Sequence, residues 1–227
     1  MGFGGSSSPV SDYYMETQAR CLAELLMSLG VREIHLIAHD FGGPVSVLFS
    51  RLFPHLRIVK LVLMATNTFV DTPIPGPLRA ARIPLVGRLI IKILAGTEFG
   101  FRQIYQNGVK NKEQFSWADF SVHISRRNLY YTYRIFHRSL ASLEHNYAGV
   151  QKHLKMISSP VLVVWGDSDP FFPVSVGVRL RDEIMDASML TYNNTGHFIP
   201  EERSEQLARD LDQFFATAHG SFSRPLS

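Results

Sequence analysis

The run Ile34-His35-Leu36-Ile37-Ala38-His39-Asp40-Phe41-Gly42-Gly43 constrains this chain more than any other stretch. A short β-branched, apolar segment stops at one polar residue, glycines follow, and a helical pattern begins at once. That order fits a buried strand turning sharply into a helix, a nucleophile elbow that lifts its apex side chain out of the sheet. The apex residue is Asp40. A carboxylate held there points to attack on saturated carbon through an alkyl ester, not to ordinary acyl transfer from serine.

The surrounding pattern enlarges this unit into an α/β domain. A helix is expected over residues 12–29, with Gly30 as its stop, then the strand 34–38 and a helix over 42–53 halted by Pro54. Residues 58–64 and 161–165 are nearly all apolar, as in a parallel sheet covered on both faces. A shorter strand over 188–192 and helices over 174–185 and 204–218 complete the alternation. Between residues 67 and 150 the pattern breaks: Pro73, Pro75, Pro77 and Pro84 introduce helical, aromatic and basic segments without a strand. The expected organisation is therefore a core over 1–66, an inserted helical cap over 67–150, and a second core part over 151–227.

Composition excludes several classes. With 227 residues the chain suffices for one sizeable core, and a formal charge of only +3 gives no case for nucleic acid. A single cysteine, Cys21, excludes an internal disulfide and a thiolate metal cluster. The Gly/Ser-rich start has no apolar core of a signal peptide, and the longest apolar stretch, 83–95, is broken by Arg88 and Lys92. A cytoplasmic protein without a cofactor is expected. The basic residues crowd into 67–150, from Arg79 to Arg138. A solvated outer face explains them most simply; membrane contact through an amphipathic 85–94 element is the sharper alternative.

Chemistry-bearing residues sit where three strands end, the place where open α/β sheets bind ligands. Asp40 follows the first; Asp167 and Asp169 follow the third, in Trp165-Gly166-Asp167-Ser168-Asp169-Pro170; His197 follows the fourth, in Thr195-Gly196-His197-Phe198. Nucleophile, acid, histidine is also the chain order of the α/β-hydrolase triad. On these three motifs the chain resembles the α/β-hydrolases, in the branch of epoxide hydrolases and haloalkane dehalogenases. The resemblance implies a parallel sheet with a helical cap, Asp40 as nucleophile, His197 as the base that activates water, and Asp169, immediately before the proline, as its acid partner. The Phe41 backbone N–H would be one oxyanion donor. The other eight histidines read as structural or exposed.

The resemblance also bears on the electrophile. Dehalogenases of this branch hold halide with Trp N–H groups, one directly after the nucleophile, where this chain has Phe41. Trp117 is the remaining candidate halide contact. Epoxide hydrolases protonate the opening oxygen with cap tyrosines, and the cap region holds Tyr105, Tyr130, Tyr131, Tyr133 and Tyr147. The expectation is thus epoxide hydrolysis ahead of dehalogenation, with a small apolar electrophile and water as partners. Met1 to Ser7 resemble the end of the family's Gly-x-Gly-x-Ser turn, so the early strands and the His-Gly-x-Pro loop are expected to be missing, and the strand bearing Asp40 to become a sheet edge. A non-catalytic remnant serving as a binding module is the reading from another class.

Overall fold

The computed structural model describes residues 14–72, 86–113, 116–121 and 149–217, together with residues 6, 79, 83, 129, 134, 137 and 147. The N-terminal helix α1 (Met15–Ser28) ends at Gly30, whose φ of 69° suits glycine. There the N–H groups of Gly30 and Val31 donate to the carbonyls of Met27 and Leu26, a Schellman closure of the last turn. Strand β1 (Glu33–His39) follows, then α2 (Gly42–Leu52), β2 (Arg57–Met64) and, far along the chain, β3 (Val161–Gly166), α7 (Val174–Glu183) and β4 (Ala187–Tyr192). The sequence between β2 and β3 contributes α3 (Val86–Gly96), α4 (Glu98–Gly108), α5 (Trp117–Ser121) and α6 (Gln151–Leu154). Short α8 (Ile199–Glu202) and the amphipathic α9 (Ser204–Ala216) close the described chain.

All four strands are parallel, in the spatial order β1-β2-β3-β4. Alternation along the two central strands divides the core into halves. Leu61, Leu63, Val161, Val163 and Trp165 pack under α1, α2 and α7, while Val62, Met64, Leu162 and Val164 pack under α9 with Leu207, Leu211 and Phe214. Burial on both faces is why β2 and β3 read as uninterrupted apolar runs. Helices α3, α4 and α5 lie in the region expected to be inserted, α6 falls just after it, and no strand occurs between β2 and β3 among the described residues.

Among the described residues β1 and β4 are the edges of the sheet, and β1 turns alternate residues to solvent, with Ile37 45% exposed. Lys60, the buried charge of β2, lies toward the end of the sheet away from the site. Its ammonium donates to the carbonyls of Phe214, Phe215 and Thr217, closing the C-terminus of α9 where the helix dipole is negative.

Candidate active site

The C-terminal ends of β1, β3 and β4 converge on one patch. Asp40 stands directly after β1 at φ 48°, a left-handed conformation that costs an ordinary residue energy and turns its side chain away from the strand path. Three interactions hold it: its N–H donates to the Met64 carbonyl (3.1 Å), while its carbonyl accepts from the Gly43 N–H (3.0 Å) and from the Thr66 hydroxyl. The chain must then enter α2 close against Thr66. A Cβ on Gly43 would overlap the Thr66 hydroxyl and lie 2.7 Å from its Cβ, which accounts for that glycine. Phe41 occupies the N-cap of α2, so its N–H belongs to the positive end of the helix.

His197 and Asp169 meet across the ends of β3 and β4. The His197 Nδ1–H donates to Asp169 Oδ2 at 2.9 Å, and the two side chains are 3% and 0% exposed. The other carboxylate oxygen of Asp169 accepts from the N–H groups of Phe171 (2.7 Å) and Phe172 (3.0 Å), which fixes its plane. Asp167 instead accepts from the Ser168 hydroxyl and is exposed. Burial alone would lower the His197 pKa, but the Asp169 hydrogen bond and the charges of Asp40 and Asp169 together raise it. With Nδ1–H committed to Asp169, Nε2 is left to take a proton.

The rings around His197 form an apolar wall: Phe171 at 5.0 Å, Phe198 at 5.1 Å and Phe172 at 5.6 Å between centroids. His39 completes it at 4.7 Å and donates its Nε2–H to the His197 carbonyl at 2.9 Å. Burial, then the His197 charge, lowers the His39 pKa, so it stays a neutral donor. Tyr105 of α4 lies flat on Phe198, 3.9 Å and 10° apart, and Tyr147 is a second half-buried tyrosine of the cap region. Burial raises both phenol pKa values, for Tyr105 with the charges of Glu201 and Asp40 and for Tyr147 with that of Asp40.

A buried carboxylate ties the histidine loop to the cap region. Glu202 of α8, 5% exposed, accepts from the Gly196 N–H at 2.8 Å on one oxygen. Its other oxygen takes the N–H groups of Lys110 (3.0 Å) and Asn111 (2.9 Å), and the His197 N–H donates to the Gly108 carbonyl (2.8 Å). The backbones approach so closely that a Cβ at Gly196 would strike the Gly108 carbonyl. One at Gly108 would strike the Phe198 ring, and one at Gly166 the carbonyls of Thr195 and Gly196.

Of the candidates read from sequence, Asp40, Phe41, Asp169 and His197 fall in this patch. Trp117 lies at the start of α5, with the Arg102 guanidinium 5.7 Å from its ring. Tyr130, Tyr131 and Tyr133 lie outside the described residues. Sequence reasoning missed Glu202 and the role of His39. The Glu-Glu pair after Pro200 carried no signal, but a histidine directly before the elbow apex was a cue to a packing partner.

The model of the α/β hydrolase fold family matches residues 1–204. The chain belongs to that family. Among relatives of this α/β hydrolase, a 2-hydroxy-6-oxononadienedioate/2-hydroxy-6-oxononatrienedioate hydrolase from Paraburkholderia xenovorans is 29% identical over 213 residues, covering 88% of this chain and 68% of the relative. A thermophilic esterase from Thermogutta terrifontis superposes with a TM-score of 0.75 at 21% identity, over 96% and 78% of the two chains. A 2-hydroxy-6-oxo-6-phenylhexa-2,4-dienoate hydrolase from Rhodococcus sp. strain RHA1 gives 0.72 at 19%, over 95% and 77%. Likeness at these two identities speaks for the fold alone. None of these three is named an epoxide hydrolase or a dehalogenase, so membership stands at the α/β hydrolase and not at the narrower branch. Among the described residues, no helix is long and apolar enough to cross a membrane.

Proposed function

We propose that this α/β hydrolase opens a small apolar epoxide with Asp40 as nucleophile. The observation that carries the reading is a carboxylate at the strained elbow position, φ 48°, sharing its patch with the buried His197–Asp169 pair. An Asp40 oxygen attacks one epoxide carbon, the C–O bond breaks, and a phenol proton passes to the departing oxygen. Tyr105 is the donor this reading assigns, since its ring lies flat on Phe198, which itself packs against His197. The products of this half-reaction are a hydroxyalkyl ester on Asp40 and one phenolate.

His197 Nε2 then takes a proton from water, and the hydroxide adds to the ester carbon of Asp40. Charge on the ester oxygen is met by the Phe41 N–H, and collapse releases the diol with the Asp40 carboxylate restored. The imidazolium returns its proton to the phenolate. Asp169 stabilises the imidazolium meanwhile. Phe41, in place of an indole beside the nucleophile, and Trp117 engaged with Arg102 favour epoxide over haloalkane.

The printed names of the relatives favour a second reading, hydrolysis of a 2-hydroxy-6-oxo dienedioate. One experiment separates the readings. His197→Gln protein is exposed to aryl epoxides, bromoalkanes and such a dienedioate, and its intact mass is measured. An adduct of epoxide mass, absent from an Asp40→Asn control, is expected. An adduct of alkyl mass alone would move the reading to dehalogenation. Turnover of the dienedioate by wild type without any epoxide adduct would replace the proposal with the second reading. No reaction with any of them on folded protein would favour a binding role.

A further inference from the structure

Helix α3 is apolar on two opposite faces, and among the described residues only one of them is covered. Gly87, Ile91 and Ala95, four residues apart, are buried against the protein. On the other side Val86, Leu89 and Ile93 are 51%, 59% and 49% exposed, forming a stripe at helical spacing. A surface helix ordinarily turns its polar residues outward; here aliphatic side chains take that place. Arg88 and Lys92, also exposed, run along one flank of the stripe, and Ile83 (52%) and Phe99 (70%) extend it at either end. Between Thr72 and Lys112 the sequence has seven Lys and Arg against one acid, Glu98, although the whole chain carries only +3.

An outward aliphatic stripe edged by cations matches the boundary of an anionic bilayer, where apolar side chains enter the acyl layer and cations meet phosphate. We propose that the outer face of α3 docks this protein on anionic phospholipid surfaces. The stripe is joined to the candidate site through Thr97 and α4. The Thr97 hydroxyl donates to the Ile93 carbonyl (2.6 Å) and accepts from the Gly100 N–H (3.1 Å), and α4 then carries Tyr105 to the ring of Phe198 beside His197. Docking would therefore bring the mouth of an apolar site to the lipid, so that substrate arrives from the bilayer; this last clause alone rests on the proposed epoxide chemistry.

The test is sedimentation of the full chain with vesicles of phosphatidylcholine plus phosphatidylglycerol, and of phosphatidylcholine alone, at low and high salt. Wild type is expected to sediment with the anionic vesicles, less so at high salt. Arg88→Gln with Lys92→Gln should weaken partitioning roughly thirtyfold, at about fivefold for each cation near such a surface. Leu89→Glu with Ile93→Glu should abolish it, while circular dichroism and thermal melts stay unchanged because both positions are exposed. Wild type remaining in the supernatant, or equal binding by the Glu variant, overturns the proposal. A wild-type dimer that the same Glu pair dissociates, without vesicle binding, would assign the face to a second copy instead. None of these readouts depends on turnover, so failure here leaves the Asp40 chemistry standing and failure there leaves the docking standing.

Discussion

Replacing Glu202 tests whether one carboxylate holds the histidine loop to the cap region. Its three donors are unequal. The Gly196 N–H is buried, whereas Lys110 is exposed and Asn111 half-exposed. Stranding a buried donor costs about 1–3 kcal/mol, and donors that water can reach cost less, about 0.5–1 kcal/mol each. Glu202→Ala should therefore lower stability by about 2–5 kcal/mol, with the cavity adding to the loss. Glu202→Gln is the more telling variant. Its amide keeps one acceptor and must turn a donor either at Gly196 or at the Lys110 and Asn111 pair. The cheaper choice strands the two that water can reach, which gives about 1–2 kcal/mol. Urea unfolding reads both numbers as shifts in midpoint at constant slope. A Gln variant within about 0.5 kcal/mol of wild type would refute the clamp, since that is the range of substitutions at indifferent surface sites.

Three further outcomes are expected. In a proton NMR titration His197 should titrate above 6.5, and Asp169→Asn should lower it, because burial then acts with less opposition. The raised pKa means the pairing contributes stability in full below the unfolded histidine value and loses it as pH climbs through the folded one, while ester hydrolysis, which needs neutral His197, rises over that same interval; an unmoved titration in Asp169→Asn would contradict the pairing. Gly43→Ala forces Thr66 away from the Asp40 carbonyl and should cost about 1–3 kcal/mol in denaturant unfolding, with a matching loss of adduct formation. Lys60→Met removes the donor that closes α9 and should cost about 1–3 kcal/mol; a melt equal to wild type would show that water can serve those carbonyls.

What could be read in advance followed from period and composition. β2 and β3 were legible because both their faces are buried, so each reads as an apolar run whatever its neighbours are. α1 was expected over 12–29 and is found at Met15–Ser28, its end written locally in Gly30. The short helices α6 and α8 were not foreseen, since four residues give no period to detect. Within the site, Asp40, Asp169 and His197 were nameable because each lies in a turn with its own sequence signature. Glu202 was not: its partners Lys110 and Asn111 are about ninety residues away, and only tertiary structure pairs them. The five tyrosines between 67 and 150 were equivalent in sequence, and it is the stacking of Tyr105 on Phe198 that distinguishes it. His39 was taken as structural or exposed, and it is structural in a particular sense, as a donor to the backbone of the candidate base.

The crowding of backbone at Gly108, Gly166 and Gly196 bears on how such a site can diversify. No side chain fits at these three positions without displacing a carbonyl or a ring that itself locates His197, so random change there ends in misfolding and not in altered preference. Val86, Leu89, Ile93 and Phe99 are exposed and face no such packing restriction, so what constrains them is the surface they meet. A lineage under selection for new substrates would keep all three glycines, including the one that ends α4, and find its variation away from them. Mutational scanning of the whole chain would separate the two kinds of constraint: loss of folded protein at the glycines, and loss of vesicle binding with folding intact at the outer face of α3.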